Sequence, residues 1–464
     1  MAKFRRRASD ICLSLPFAIL VFLIAATIVL LKAEVVGVLI FVGILSLLLV
    51  LCDDITVTTL PFLLVCMFVL KCYDSFNTFI VFAPLGVIPI AALLYHIIAN
   101  KTRFSIGKSF WGIVAVAIAV TCGGWFTLPF SDYFSGTSIF YITGLGIGMI
   151  GAYLLMKREF VPSDRYSLVE RLFAIFYMAG LFGVFMMASF FIMDYQSQMM
   201  TQGYYGIQWS NNLSTMMMFF MPAPFYFALK KNRLHFLIGI LFYLTIAATG
   251  SRGGFLMGFA ELLLCVVYVG WRDRFLRRAS ILTVLVSAIL VVAYHEPIFT
   301  FFGMDGTNDL ISSTEARALL IPRAFKDFLA NPVFGQGLGY TGNHDAYSPV
   351  KGAANWYHMM IPQIIGSLGT VGILGYGYQF YTRFRLIFQK PTVRMMILGL
   401  SYSGILLMSQ VNPGEFCPIP YELLTVLLFI FLELPREELT GAKKGAFTSL
   451  KTVFQKESKK DALV

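Results

Sequence analysis

The amino-acid sequence predicts an all-α polytopic membrane protein with about 14 transmembrane helices and one long extracytoplasmic loop. Of its 464 residues, 58% are hydrophobic and only 13% are charged, and the mean hydropathy is +0.75. Soluble domains carry roughly 25% charged residues. The apolar residues also fall in long runs divided by short polar turns. We therefore expect a membrane-embedded chain without a sizeable soluble domain.

The first apolar run, at 11–31, follows the basic stretch Lys3-Phe4-Arg5-Arg6-Arg7. It has no small-residue cleavage site, and another apolar run follows at once. These features predict a transmembrane helix rather than a signal peptide. The predicted spans are approximately 11–31, 35–52, 55–70, 77–98, 110–128, 139–156, 172–193, 213–229, 235–250, 254–270, 280–294, 361–382, 395–411 and 419–433. They give a transmembrane domain over residues 1–434.

The basic residues predict how these spans are oriented. With the N-terminus inside, 29 of the 36 Lys and Arg residues fall on the inner side. The other basic residues are Lys32, Lys71, Arg252, Arg317, Arg323, Lys326 and Lys351. Basic residues are enriched in cytoplasmic loops, so both termini are expected in the cytoplasm. This enrichment explains the net charge of +11 without a nucleic-acid partner. The basic tail at 435–464 is expected to contact anionic membrane lipid or to be solvated.

A glycine-flanked arginine lies between two apolar runs, in the sequence Gly250-Ser251-Arg252-Gly253-Gly254. Arginine near a bilayer is costly, so it is usually functional. The glycines permit a sharp turn and would leave room for a bulky ligand. A guanidinium in such a niche suits phosphate or pyrophosphate. The alternative is an arginine that caps a helix or extends to the interface.

Residues 295–357 form the one long connection, between predicted spans 11 and 12. Loops of this length are usually functional. The capping-box pattern at 312–315 predicts a helix through Arg317, which Pro322 should bend or end. Asn331-Pro332 should prevent its continuation. The glycine pattern at 335–339 follows no predicted strand, so a flexible turn is favoured over a nucleotide site.

His358 lies where this loop re-enters the membrane, at a predicted helix start, which makes it a candidate functional residue. The glycines at 366, 369, 372 and 375 are spaced three apart. That spacing predicts a smooth helix face for close packing or for a lipid chain. The sequence has no HExxH motif, and its outer carboxylates lack metal-ligand spacing. Neither a metal nor a cofactor is therefore expected.

Taken in order, these motifs resemble the O-antigen ligase and polysaccharide polymerase superfamily. Its histidine motif has His, then Asn, Ser or Gln, and two later glycines. Here the motif is matched by His358, Gly369 and Gly372, whereas Met359 departs from it. Further similarity lies in Trp209-Ser210-Asn211-Asn212, Thr249 to Gly254, Glu315-Ala316-Arg317 and 331–339, so that the resemblance covers roughly 209–384.

The resemblance implies a GT-C-type glycosyltransferase in the bacterial cytoplasmic membrane, acting on its outer side. Such an enzyme takes a glycan from polyprenyl pyrophosphate and joins it to a glycan or lipid-linked acceptor, without nucleotide or metal. Arg252 and Arg317 would stabilise the departing pyrophosphate, and His358 would be the base, with inversion at the anomeric carbon. Gly253, Gly254 and Arg323 are further candidate substrate-binding residues. A lipid-linked oligosaccharide flippase is the alternative, and polymerase and ligase remain open.

Overall fold

The computed structural model describes residues 2–72, 82, 84–101, 105–125, 136–194, 210–302, 308–338, 356–412, 414–416, 419–441 and 445–448. Within these ranges the chain is helical, with one isolated β-bridge between Ser14 and Thr448, which confirms the all-α prediction. The α-helices are α1 (Ala2–Cys12), α2 (Leu15–Leu30), α3 (Glu34–Leu51), α4 (Thr59–Cys72), α5 (Val87–Asn100), α6 (Ser109–Cys122), α7 (Gly136–Thr143), α8 (Met149–Glu159), α9 (Leu168–Met193), α10 (Ser210–Phe220), α11 (Pro222–Lys230), α12 (His235–Ala248), α13 (Arg252–Arg272), α14 (Arg274–Ala293), α15 (His295–Phe302), α16 (Asn308–Ala330), α17 (Met360–Phe388), α18 (Val393–Met408), α19 (Ile419–Leu432) and α20 (Arg436–Thr440).

Several helices are long and apolar enough to cross a membrane. Among the described residues six stretches meet this condition, at Glu34–Leu51, Ser138–Glu159, Leu168–Met193, Arg252–Arg272, Arg274–Ala293 and Met360–Phe388. Shorter apolar helices occur at Leu15–Leu30, Ile55–Val69, Pro84–Asn100, Ser109–Cys122, His235–Ala248, Val393–Met408 and Ile419–Leu432. The chain is therefore a multi-pass membrane protein, and the count of about 14 spans stays a prediction.

The centre of the bundle is the pair α10 and α11. Every residue from 213 to 228 is buried, and α10 packs against α9, α12, α13 and α18. Pro222 begins α11, where its missing N–H costs no helical hydrogen bond. This packing holds the start of α10, with Asn211 and Asn212, in the middle of the molecule.

Helix α14 lies at the periphery and packs against α13 and the short α15. Only Leu276 and Ser280 of this helix are buried, whereas Ile289 and Val292 are largely exposed. A continuous apolar surface of this size is unfavourable in water. We conclude that this helix faces lipid.

The long connection after α14 is more helical than the sequence predicted. Helix α16 begins at Asn308, before the expected capping box, and continues through Pro322 to Ala330. Of the expectation that Pro322 would bend or end the helix, the predicted end is therefore wrong. The predicted stop at Asn331-Pro332 is confirmed, because these two residues directly follow the last helical residue.

Polar contacts gather several predicted inner segments at one end of the bundle. Arg5 donates to Asn100 Oδ1 at 3.0 Å, and Lys157 pairs with Glu433 at 3.0 Å. Part of the chain after α20 packs at this end too, where the Thr448 amide donates to the Leu13 carbonyl at 3.3 Å. The side of the membrane that this end faces, and the tail boundary at 435, stay predictions.

The orientation can be tested by thiol labelling in a variant that lacks the seven native cysteines. We expect a cysteine at Ser348, in the predicted outer loop but outside the described residues, to react with an impermeant reagent in intact cells. A cysteine at Lys231, in the exposed turn after α11, should react only after permeabilisation. The opposite pattern would invert the predicted topology.

Candidate functional site

A tight turn presents Arg252 as the first residue of α13. Gly250 has a φ of +76°, a left-handed conformation that glycine adopts without steric cost. Ser251 caps the helix, because its Oγ accepts from the Gly254 amide at 2.9 Å. The same hydroxyl donates to Asn211 Oδ1 at 2.6 Å. The half-buried Arg252 therefore directly follows a turn that is hydrogen-bonded to the central helix α10.

The two glycines after Arg252 allow neighbouring helices to approach closely. A Cβ at Gly254 would lie 2.4 Å from Ser214 Oγ, and one at Gly253 would lie 2.8 Å from Val411 Cγ2. At both positions the structure has protein where the sequence interpretation expected room for a ligand. Gly253 and Gly254 thus permit close packing around Arg252, and their part in substrate binding stays a prediction.

His358 precedes α17 in a conformation that L-residues rarely adopt. Its φ is +54°, and histidine is enriched several-fold among the few residues found there. Met359 is the N-cap residue and forms no side-chain cap, at a position where Asn or Ser would cap well. Instead, Gln363 Oε1 accepts from the backbone N–H of Tyr357 at 2.9 Å. The chain entering α17 is therefore fixed despite the departure at Met359.

The Arg252 and His358 motifs converge on the end of α18. The Met360 amide donates to the Ser409 carbonyl at 2.8 Å. Two residues further on, Val411 packs against Gly253, next to Arg252. The sequence separates these motifs by about a hundred residues, and the fold brings both to the same turn after α18.

A segment of the loop, 331–338, is paired with a break in α17. Gly369 interrupts that helix with a φ of +61° and a ψ of −151°. The amides of Gln336 and Gly337 donate to the carbonyls of Gly366 and Ser367 at 2.9 and 2.8 Å. Below the break, the amides at 370 and 371 donate to the carbonyls at 332 and 333 at 2.9 and 3.1 Å. The loop thus satisfies backbone groups that the helix leaves open.

Close approach at this break explains two glycines of the motifs. A Cβ at Gly335, whose φ is +66°, would lie 2.4 Å from the Ser367 carbonyl carbon. One at Gly369 would lie 2.7 Å from the Gly335 nitrogen. The glycine-rich segment was expected to be a flexible turn. Its residues through Leu338 are instead an ordered part of the helix pairing, whereas Gly339 lies outside the described residues.

We expect Gly369→Ala to lower the midpoint of thermal unfolding of the purified protein. Left-handed backbone alone costs a non-glycine residue about 1–3 kcal/mol, and the added methyl would also meet backbone atoms. Gly377→Ala is the matched control, since a Cβ there meets nothing within 4 Å and alanine favours a helix. Equal midpoints for the two variants would contradict the pairing.

A second contact joins α16 to the residue before His358. The Tyr357 hydroxyl donates to Asp327 Oδ2 at 2.5 Å, and Arg323 Nε lies 3.2 Å from Asp327 Oδ1. Burial raises the pKa of the Asp327 carboxyl, while the Tyr357 hydrogen bond and the Arg323 charge oppose that rise. Arg323 and Tyr357 thus contact the same carboxylate, that of Asp327. The backbone of Arg317 lies on α16, but its side chain is outside the described residues.

One buried charge cluster was not predicted from the sequence. It is formed by Arg383, Glu415 and Glu422, and we call it the arginine–glutamate cluster. Arg383 Nη1 lies 3.0 Å from Glu415 Oε2, and its Nη2 lies 2.7 Å from Glu422 Oε1. Arg383 also donates to the Tyr402 hydroxyl at 3.1 Å. All three charged residues are buried, so their charges must be balanced locally.

This cluster corrects the placement of Arg383, which falls among the 29 basic residues assigned to the inner side. Its guanidinium is instead buried in the bundle, against Glu415 and Glu422. The chain after α18 folds back into the bundle, where Phe416 packs on Tyr376 with ring centroids 5.0 Å apart. The arginine–glutamate cluster therefore anchors the connection between α18 and α19. The first turn of that connection, near Val411, contacts the Arg252 and His358 motifs.

We expect Arg383→Met to destabilise the protein by about 3–5 kcal/mol, because it leaves two buried carboxylates without their counter-charge. Arg385→Met is the control, since Arg385 is exposed on the same helix. The measurement is the fraction of monodisperse protein after a heating series in detergent. Equal heat resistance of the two variants would show that the arginine–glutamate cluster does not anchor the fold.

Residues 236–377 match the family model described as O-antigen ligase. The match begins in α12, includes Arg252, the loop pairing and His358, and ends in α17. It confirms the resemblance to the O-antigen ligase and polysaccharide polymerase superfamily over this part of the chain. No curated protein and no solved structure matches the chain significantly.

Proposed function

We propose that the chain, whose residues 236–377 match the O-antigen ligase family model, is a membrane glycosyltransferase that uses a polyprenyl-pyrophosphate-linked glycan as donor. The acceptor is a sugar hydroxyl of another glycan or lipid-linked saccharide, on the outer side of the cytoplasmic membrane. The observation that carries this proposal is that the residues directly after Arg252 and close after His358, Gly253 and Met360, both contact the turn after α18.

Arg252 is the donor-binding residue of this proposal. It stands at the N-terminus of a 21-residue helix, where the helix dipole favours negative charge. A guanidinium can grip two phosphate oxygens at once, and it keeps its charge at every physiological pH. Charge that builds up on the departing pyrophosphate would therefore be stabilised in the transition state. Arg317 and Arg323, which both lie on α16, would help to stabilise the same pyrophosphate group.

His358 is the base in the proposed reaction. The acceptor oxygen forms a bond to the anomeric carbon while the bond from that carbon to the pyrophosphate oxygen breaks. The proton of the acceptor hydroxyl passes to the imidazole, and the bonding electron pair leaves with the pyrophosphate. A single displacement of this kind inverts the anomeric carbon and requires no nucleotide, because the pyrophosphate is already an activated leaving group.

Reconstituted vesicles provide the test of the proposal. The purified protein, supplied with a lipid-linked saccharide on the accessible leaflet, should release polyprenyl pyrophosphate and form a longer saccharide. Growth of the lipid-linked chain indicates a polymerase, whereas transfer to an added lipid A–core acceptor indicates a ligase. Movement of the donor between leaflets without a joined product would overturn the enzyme and favour the flippase.

A further inference from the structure

A cavity of about 420 Å³ lies at the end of the bundle opposite the candidate site. It is bounded by the start of α6, the end of α17, the start of α18 and the end of α19. His358 and Met360 lie at the other end of α17, and Val411 lies beyond the other end of α18. The cavity is thus separated from Arg252 and His358 by the length of these helices.

Three exposed cations line the cavity: Lys108, Lys390 and Arg436. Lys108 Nζ donates to Gln389 Oε1 at 3.1 Å, and Arg436 Nη1 donates to the Lys390 carbonyl at 3.5 Å. These partners are neutral, and none of the three cations forms an ion pair with a carboxylate in the described part of the chain. The positive charge is therefore available to a ligand.

The one carboxylate in the lining, Glu433, is already balanced. Its Oε1 accepts from the Ser109 amide at 2.6 Å and from the Ser109 hydroxyl at 2.7 Å. Its Oε2 accepts from the Tyr153 hydroxyl at 2.7 Å and lies 3.0 Å from Lys157 Nζ. The cavity consequently presents a net positive field.

Apolar side chains also line this cavity. Leu386, Met395 and Leu432 form a buried floor. Immediately beside the cavity in sequence, Trp111 and Phe388 are 57% and 58% exposed. Tryptophan at such a position is typical of the membrane interface, where its ring lies at the level of the headgroups. The ligand that fits is anionic at one end and apolar at the other.

We propose that this cavity binds the phosphate of an anionic phospholipid, whose acyl chains lie against Trp111 and Phe388. Basic pockets between transmembrane helices bind such headgroups, and about 420 Å³ lies within the usual range for small-ligand sites. The site is independent of glycan transfer, because it uses none of the residues near Arg252 or His358.

Native mass spectrometry of the full-length protein in detergent tests this site, with phosphatidylglycerol as the probe and phosphatidylcholine as the neutral reference. The variant K108Q/K390Q/R436Q removes the three cations. The matched control R272Q/R274Q/R278Q removes the same charge from exposed positions at the junction of α13 and α14. We expect the first variant to bind phosphatidylglycerol about 100-fold more weakly, since each cation near an anionic headgroup contributes roughly fivefold.

Three results would overturn the site. One is equal loss of phosphatidylglycerol binding in both triple variants. Another is binding of phosphatidylcholine as tight as that of phosphatidylglycerol. In the third, millimolar inorganic phosphate displaces the lipid completely, which would identify a free-phosphate site. Because the substituted side chains are exposed, folding should be preserved; the single change Lys108→Glu, which reverses one charge, should weaken lipid binding as well if the site is correct.

Discussion

His358→Asn is expected to reduce kcat for glycan transfer roughly 10²–10⁴-fold while the lipid-linked donor still binds. Asparagine is the informative substitution because it tolerates the left-handed backbone that His358 adopts, whereas alanine would add strain. The amide cannot accept the acceptor proton as an imidazole does. Donor binding should persist, since it is assigned to the guanidiniums. Turnover and donor affinity are measured separately in reconstituted vesicles.

The pH profile offers an independent check of the same role. A base acts in its neutral form, so wild-type activity should fall on acidification as the imidazole takes up a proton. His295→Asn, at an exposed position in the same connection, should leave both rate and profile unchanged. If His358→Asn instead lost donor binding together with transfer, His358 would be a donor ligand. Full turnover would remove it from the reaction.

Arg252→Lys is expected to lower kcat about 100-fold with normal expression in the membrane. Lysine keeps the positive charge but loses the planar pair of donors that matches two phosphate oxygens. The loss of one transition-state donor typically costs 10²–10³-fold. The effect should appear in kcat more than in KM, because charge grows on the pyrophosphate only as the bond breaks.

Arg272→Lys is the control for this change, since Arg272 is exposed at the opposite end of the same helix. Both variants should have the same unfolding midpoint. Near-native kcat in Arg252→Lys would reduce Arg252 to a helix-capping or interfacial residue. A lowered midpoint in that variant alone would show that its guanidinium supports the fold.

The positions of the helices were largely readable from the sequence. A continuous run of about 20 apolar residues favours a membrane-spanning helix, because a helix satisfies all its backbone groups within the segment. Predicted spans 254–270 and 361–382 therefore lie within α13 and α17. The turn at Arg252 and the helix start after His358 were local features as well, encoded by neighbouring glycines and by the end of an apolar run.

The pairing at Gly369 was not readable. Glycines spaced three apart fit a smooth packed helix as well as a broken one, and the break depends on a partner, 331–338, more than thirty residues away. The arginine–glutamate cluster was missed for a similar reason. Arg383 meets carboxylates 32 and 39 residues further along the chain, and they reach it only because the chain after α18 folds back.

The pairing of 331–338 with α17 restricts how this protein can be re-engineered. Adding or removing one residue in that segment would shift every later amide against the helix and bring a side chain to the place where Gly335 meets Ser367. Changes of length within 331–338 are therefore expected to disrupt the pairing. A chimera that takes this region from a related protein should therefore replace residues 331–338 and 366–371 together.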